Sequence, residues 1–128
     1  MKSVVICGSR RFKPEIRRFA DELIKKGVVV YAPFLHQGKD EWKSLSDEYK
    51  SYVALGLTHD HFYKIRMADV VYVYNKDGYS GNSTTLEIGY ALACGKPIYA
   101  FSDQDEELCR RVLMKDFINT PKKLLTVL

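Results

Sequence analysis

Apolar residues follow two rhythms along this chain. Four short runs are continuous and rich in β-branched or aromatic residues: Ser3–Cys7 (SVVIC), Val28–Pro33 (VVVYAP), Asp69–Tyr74 (DVVYVY) and Lys96–Phe101 (KPIYAF). Runs of this length and type read as buried strands. After the first, Ile16, Phe19, Ala20, Leu23 and Ile24 recur at helical spacing behind Pro14, a residue that a first helical turn tolerates. Gly27 ends that helix. Residues from Gly38 to about Lys43 are polar and read as loop, and a helix follows from about Leu45 to Met67, with a break near Gly56. Ser102 is placed to cap a helix reaching about Leu113. "DFI" (116–118) then reads as a short fifth strand, and Thr120-Pro121 as the cap and first turn of a last helix.

Strands alternating with helices predict an α/β fold with both faces of a parallel sheet covered. Right-handed crossovers make it a single domain over residues 1–128: a doubly wound, flavodoxin-like sheet of five parallel strands, order 2-1-3-4-5. Such sheets bind ligands beyond the carboxyl ends of their strands, at the switch between the first and third. That rule puts Gly8, Ser9, Arg10 and Arg11 on the ligand side, with His36 and Gln37, Asn75 to Ser83, and Ser102 with Asp103. Asp69 opens the third strand at the opposite end and reads as a turn or cap residue.

Composition narrows the classes. The 128 residues suit one domain, with 46% hydrophobic and 28% charged residues. The longest apolar run, VVVYAPFL, is far short of the ~20 residues that cross a bilayer, and MKSVVICGSRRF lacks the apolar stretch and cleavage site of a signal peptide. Cys7, Cys94 and Cys109 are an odd set without CxxC spacing, so neither a disulfide framework nor a structural zinc site is expected, and a reducing cytoplasm is. His59 and His61, two apart on a helix, do not face one another, and no carboxylate in the sequence nearby completes a ligand set; no metal and no cofactor are expected. Residues 1–27 carry eight basic against three acidic side chains. This bias suits a small anionic ligand and is too weak for nucleic acid.

Two stretches carry candidate chemistry. In CGSRRF, Gly8 lets backbone N–H groups approach a phosphate, Ser9 can donate a hydrogen bond, and an arginine can grip phosphate oxygens. The P-loop and GxGxxG spacings are absent. In GYSGNSTTLE, Gly78 and Gly81 free the backbone, and Asn82, Ser83, Thr84 and Thr85 gather polar groups at a helix start. Glu87 has two readings. Thr84-x-x-Glu87 fits a capping box, which would occupy the carboxylate in holding its own main chain. A cap at Ser83 instead leaves Leu86 at the third helical position and releases Glu87.

Together CGSRRF, ADVVYVYN and GYSGNSTTLEIGYALACGKPI resemble the nucleoside 2-deoxyribosyltransferase family and its relatives, the deoxynucleoside 5′-monophosphate N-glycosidases, over about residues 3–102. The resemblance implies a flavodoxin-like homo-oligomer, dimeric or larger, acting on a small nucleoside or nucleotide without membrane or nucleic-acid partners. It implies Glu87 as the nucleophile, Gly8, Ser9 and Arg10 as the loop holding the sugar or its 5′-phosphate, and Asn75, Gly81 and Ser83 near the substrate. His61 stands where the family often has an aspartate near the leaving base, and as imidazolium it would protonate that base. Asp60 is adjacent but projects about 100° away on a helix. Gly81 stands where the family has an acidic residue. Phe12, Trp42, Phe62 and Tyr79 are candidates to stack on the base. Two alternatives remain open: a nucleotide-sensing module of the same fold, and a phosphoribohydrolase, whose PGGxGTxxE stretch is matched only in outline.

Overall fold

The computed structural model describes residues 2–33 and 41–128. The chain runs β1 (Ser3–Gly8), a 3-10 turn (Arg10–Phe12), α1 (Lys13–Lys25), β2 (Val29–Tyr31), α2 (Glu41–Ser44) and α3 (Asp47–Met67). It continues through β3 (Val70–Tyr74), a second 3-10 turn (Lys76–Gly78), α4 (Asn82–Ala93), β4 (Ile98–Ala100), α5 (Leu108–Arg111), β5 (Asp116–Phe117) and α6 (Pro121–Leu125). The five strands are all parallel, in the order β2-β1-β3-β4-β5, as the alternation predicts.

Strand alternation sorts the core into two faces. Val4 and Ile6 of β1 point to the side covered by α1 and α6, where Phe12, Ile16, Phe19, Leu23 and Leu124 pack. Val5 and Cys7 point to the other side, against Ile65 and Ala68 at the end of α3 and Ile88 and Ala91 of α4. Cys7 is therefore the last β1 side chain on the α3/α4 face before the strand ends. At that end Gly8 lies beside Tyr74 in register. A Cβ on Gly8 would come within 2.7 Å of Ile16 Cδ1 and 3.1 Å of the Tyr74 carbonyl oxygen, so close packing favours glycine here.

Several expectations change. The break near Gly56 does not occur: α3 is continuous, its Ser46 cap accepting from the Tyr49 N–H at 3.2 Å. Glu41 to Lys43, expected as loop, fall in α2, while Gly38–Asp40, His36 and Gln37 lie outside the described residues. The helix expected after Ser102 shrinks to α5, because Ser102 Oγ accepts from the Gln104 N–H two residues on and closes a turn rather than a helical cap. Ile24, at helical spacing with the buried residues of α1, is exposed near its end. Asp69 is the turn residue expected: its carboxylate accepts from the Ser3 N–H at 2.8 Å, joining the amino ends of β1 and β3. That backbone hydrogen bond is the main reason its carboxyl sits below the usual carboxylate range.

Candidate active site

The N-cap of α4 is Gly81, and Asn82 is the first helical residue. Thr84 is thus inside the first turn, and the capping box expected from its spacing to Glu87 does not form. Thr85 takes the local role, donating its hydroxyl to the Gly81 carbonyl at 2.9 Å. Glu87 joins Thr84, Ile88 and Ala91 on the stripe of α4 that faces the sheet, because residues three, four and seven apart share a helix face. It is a carboxylate on a buried face with no capping duty.

His61 reaches it from the neighbouring helix. It lies one turn before Ile65, which is buried between α3 and the sheet, so both share the inward face. Its Nε2 is 2.8 Å from Glu87 Oε2, and each side chain is only 14% exposed. The same Nε2 is 3.4 Å from Cys7 Sγ. The imidazole nitrogen therefore has two close neighbours, one of them a thiol that is itself a donor, and its 2.8 Å approach to the buried Glu87 Oε2 is poorly aligned for a hydrogen bond. Cys7 itself is fully buried, and burial, then the charge and hydrogen bonding of Glu87, hold its thiol well above the ordinary range. It is a neutral thiol despite the imidazole beside it, the wrong state for a nucleophile. The sequence shows no such base and no carboxylate completing a set around His61. Folding supplies both, because β1, α3 and α4 converge at one end of the sheet.

The other predicted residues are distributed around this cluster. Ser9 Oγ accepts from the Arg11 N–H at 3.2 Å and starts the 3-10 turn after β1. The Arg11 guanidinium lies 3.6 Å above the Tyr79 ring, so that turn is clasped to the loop leading into α4. Arg10 and Ser83 are exposed. Asn75 is 1% exposed, and its amide is engaged: Oδ1 accepts from the Ser102 N–H at 2.8 Å and Nδ2 donates to the Ser102 carbonyl at 3.1 Å. It ties the ends of β3 and β4 together. Asp60 points away from the cluster and pairs with Lys64 at 2.7 Å. Of the aromatics, Phe12 is buried against Tyr74 and Phe62 stacks on Tyr90, so both are packing residues, whereas Trp42 and Tyr79 are exposed.

Sequence reading missed one further group. Asp105 is buried and forms a bidentate pair with Arg110, whose Nε and Nη2 each lie 2.8 Å from a carboxylate oxygen. Arg110 also donates to Thr85 Oγ1 at 3.2 Å, bracing the first turn of α4. Burial works against ionisation of Asp105, but hydrogen bonds from Arg110 and the Glu107 N–H, with the Arg110 charge, outweigh it and lower its pKa. The only signal was an acidic run, Asp103 to Glu107, ahead of two arginines, which ordinary surface composition mimics. Two surface cavities lie apart from Glu87: one of about 410 Å³ beyond β4 and β5, bounded by Asp77, Ser102 and Lys123, and one of about 300 Å³ along α1.

The fold is thus a doubly wound α/β domain in which α4 carries a mostly buried carboxylate beside the carboxyl end of β1. The model of the nucleoside 2-deoxyribosyltransferase family matches residues 5–123, and the chain belongs to that family. A comparison with curated protein sequences found no match. Similar solved structures include a conserved protein from Enterococcus faecalis, with TM-score 0.69 and 16% identity, covering 98% of this chain and 96% of that one. A 2-deoxyribosyltransferase from Bacillus psychrosaccharolyticus aligns with TM-score 0.67 and 18% identity over 95% and 89%. A CMP N-glycosidase from Clostridium botulinum aligns with TM-score 0.51 and 18% identity over 98% and 96%. At these identities the structures bear on the fold, which they share.

Proposed function

We propose that this protein cleaves or transfers the N-glycosidic bond of a nucleoside or deoxynucleoside, preferring the 5′-monophosphate, with Glu87 as nucleophile. The observation that carries the reading is the Glu87 carboxylate itself, mostly buried on the inner face of α4 yet spent on no cap. Attack of Glu87 on C1′ breaks the bond to the base, which leaves with the bonding electrons and takes up a proton from solvent water. The glycosyl ester then yields to water or to a second base. The family membership supports this general chemistry, as does its likeness in fold to a 2-deoxyribosyltransferase and a CMP N-glycosidase.

His61 takes a different role here from the base-protonating one that its position in the family pattern suggests. Nucleophile and leaving base occupy opposite faces of C1′, and paired groups in retaining glycosidases stand about 5–5.5 Å apart. At 2.8 Å from Glu87, His61 is on the nucleophile's side. We assign it as a positioning residue that orients the carboxylate. Gly8, Ser9 and Arg10 on one side and Gly81 and Ser83 on the other form the phosphate anchor. Support comes from the α4 N-cap, a glycine offering no side-chain acceptor to the first-turn N–H groups, which leaves them suited to an anion. The Arg11–Tyr79 contact holds the two loops together.

The test is Glu87→Gln assayed by chromatography for free base over a panel of nucleosides, deoxynucleosides and their monophosphates. The variant should lose at least about a hundredfold in turnover while keeping its melting temperature, since no cap is removed. Tight monophosphate binding by the wild type without base release would instead make the protein a nucleotide sensor.

A further inference from the structure

Cys7, His61 and Glu87 are brought together from three elements, with one donor atom of each within 4.8 Å of the others. A tetrahedral zinc ion, with bonds of about 2.0–2.3 Å to nitrogen, oxygen and sulfur, spaces its ligand atoms roughly 3.3–3.6 Å apart. The Cys7–His61 separation of 3.4 Å falls in that range, and the His61–Glu87 separation of 2.8 Å needs only a small opening. Two groups crowd one imidazole nitrogen, and Glu87 Oε2, buried and 2.8 Å from it, has no well-aligned donor among the described residues. A metal ion resolves both, accepting lone pairs from all three atoms at once.

We propose that Cys7 Sγ, His61 Nε2 and Glu87 Oε2 form a binding site for a thiophilic divalent cation, with Zn²⁺ as the fitting ion. Binding releases the Cys7 thiol proton to solvent. The dication then meets one thiolate and one carboxylate, so the buried cluster is electrically neutral. Three protein ligands leave a fourth position open, on the side where His61 and Glu87 retain some exposure. The consequence for activity rests on the nucleophile reading: an ion coordinated by Glu87 withdraws the lone pair needed at C1′, so zinc acts as an inhibitor.

The binding test does not depend on turnover. Reduced protein is titrated with Co²⁺, watching for thiolate-to-cobalt charge transfer in the near-ultraviolet, and with Zn²⁺ by competition against a chromophoric chelator. The wild type should bind one ion per chain and show the band. Cys7→Ala should lose the band and bind zinc at least about a hundredfold more weakly, as should Glu87→Gln, with circular dichroism confirming that each is folded. No band, or a band that persists in Cys7→Ala through Cys94 or Cys109, overturns the site. With a nucleoside monophosphate as substrate, micromolar Zn²⁺ should suppress wild-type turnover and leave the turnover of Cys7→Ala unaffected. A Cys7-dependent band in a protein without turnover supports the metal site and refutes the glycosidase reading. Zinc binding without inhibition refutes Glu87 as a shared ligand.

Discussion

At the scale of single residues, the site depends on what Glu87 is free to do and what His61 does to it. A positioning role predicts a particular kinetic signature. His61→Asn should lower kcat by roughly 10–100-fold with little change in KM for a monophosphate, because the anchor for the phosphate lies in other loops. An equal fall in affinity would place His61 in substrate binding instead. Gly8 offers a second residue-scale test. An added methyl would press on Ile16 and the Tyr74 carbonyl, and backbone packed in a parallel sheet does not retreat. Gly8→Ala should cost about 1–3 kcal/mol, read as a lower urea midpoint at an unchanged denaturant slope.

At the scale of elements, the rim of the site is braced from the β4 side. Asn75 bonds both backbone groups of Ser102, Gly78 packs where any Cβ would collide with Gln104, and Arg110 links Asp105 to Thr85. With the Asp105 side chain 2% exposed, this pair is shielded from solvent. Asp105→Ala strands a guanidinium and should destabilise the fold by about 3–5 kcal/mol, measured by thermal and urea unfolding. The pH dependence follows from the lowered carboxyl pKa. The unfolded chain binds a proton more readily than the folded one, so the contribution is complete above the unfolded value, about 3.9. It is lost as pH falls through the lower folded value. Wild type should therefore lose more stability than Asp105→Asn on acidification below about pH 4.

At the scale of the molecule, α3 is the unusual element. It spans 21 residues, yet Ile65 is its single fully buried side chain among the described residues, while Tyr49, Tyr52, Leu55 and Met67 are more than half exposed. A helix with so much uncovered apolar surface calls for a partner. We propose that a second copy of the chain covers it, as the family resemblance implies. Sedimentation velocity should then show a dimer or larger assembly. The double substitution Tyr52→Asp with Leu55→Asp should shift it to monomer, with folding retained because both side chains are exposed in the single chain. A monomeric wild type at micromolar concentration would refute this.

The periodicity of the chain by itself determined the strands, their parallel order and which loops share an end of the sheet, because burial on both faces leaves few arrangements of continuous apolar runs. The motif resemblance, not periodicity, singled out Glu87 and His61. Stretches governed by side-chain competition for backbone groups came out differently: Ser102 closes a turn where a cap was expected, and Gly81 caps α4 in place of either Thr84 or Ser83. Only the tertiary structure decided that Glu87 is free, that His61 rests against it, and that Cys7 completes the cluster. Those facts depend on how α3 and α4 lie over one face of β1, and residues 7, 61 and 87 are too far apart in sequence for any local pattern to record it.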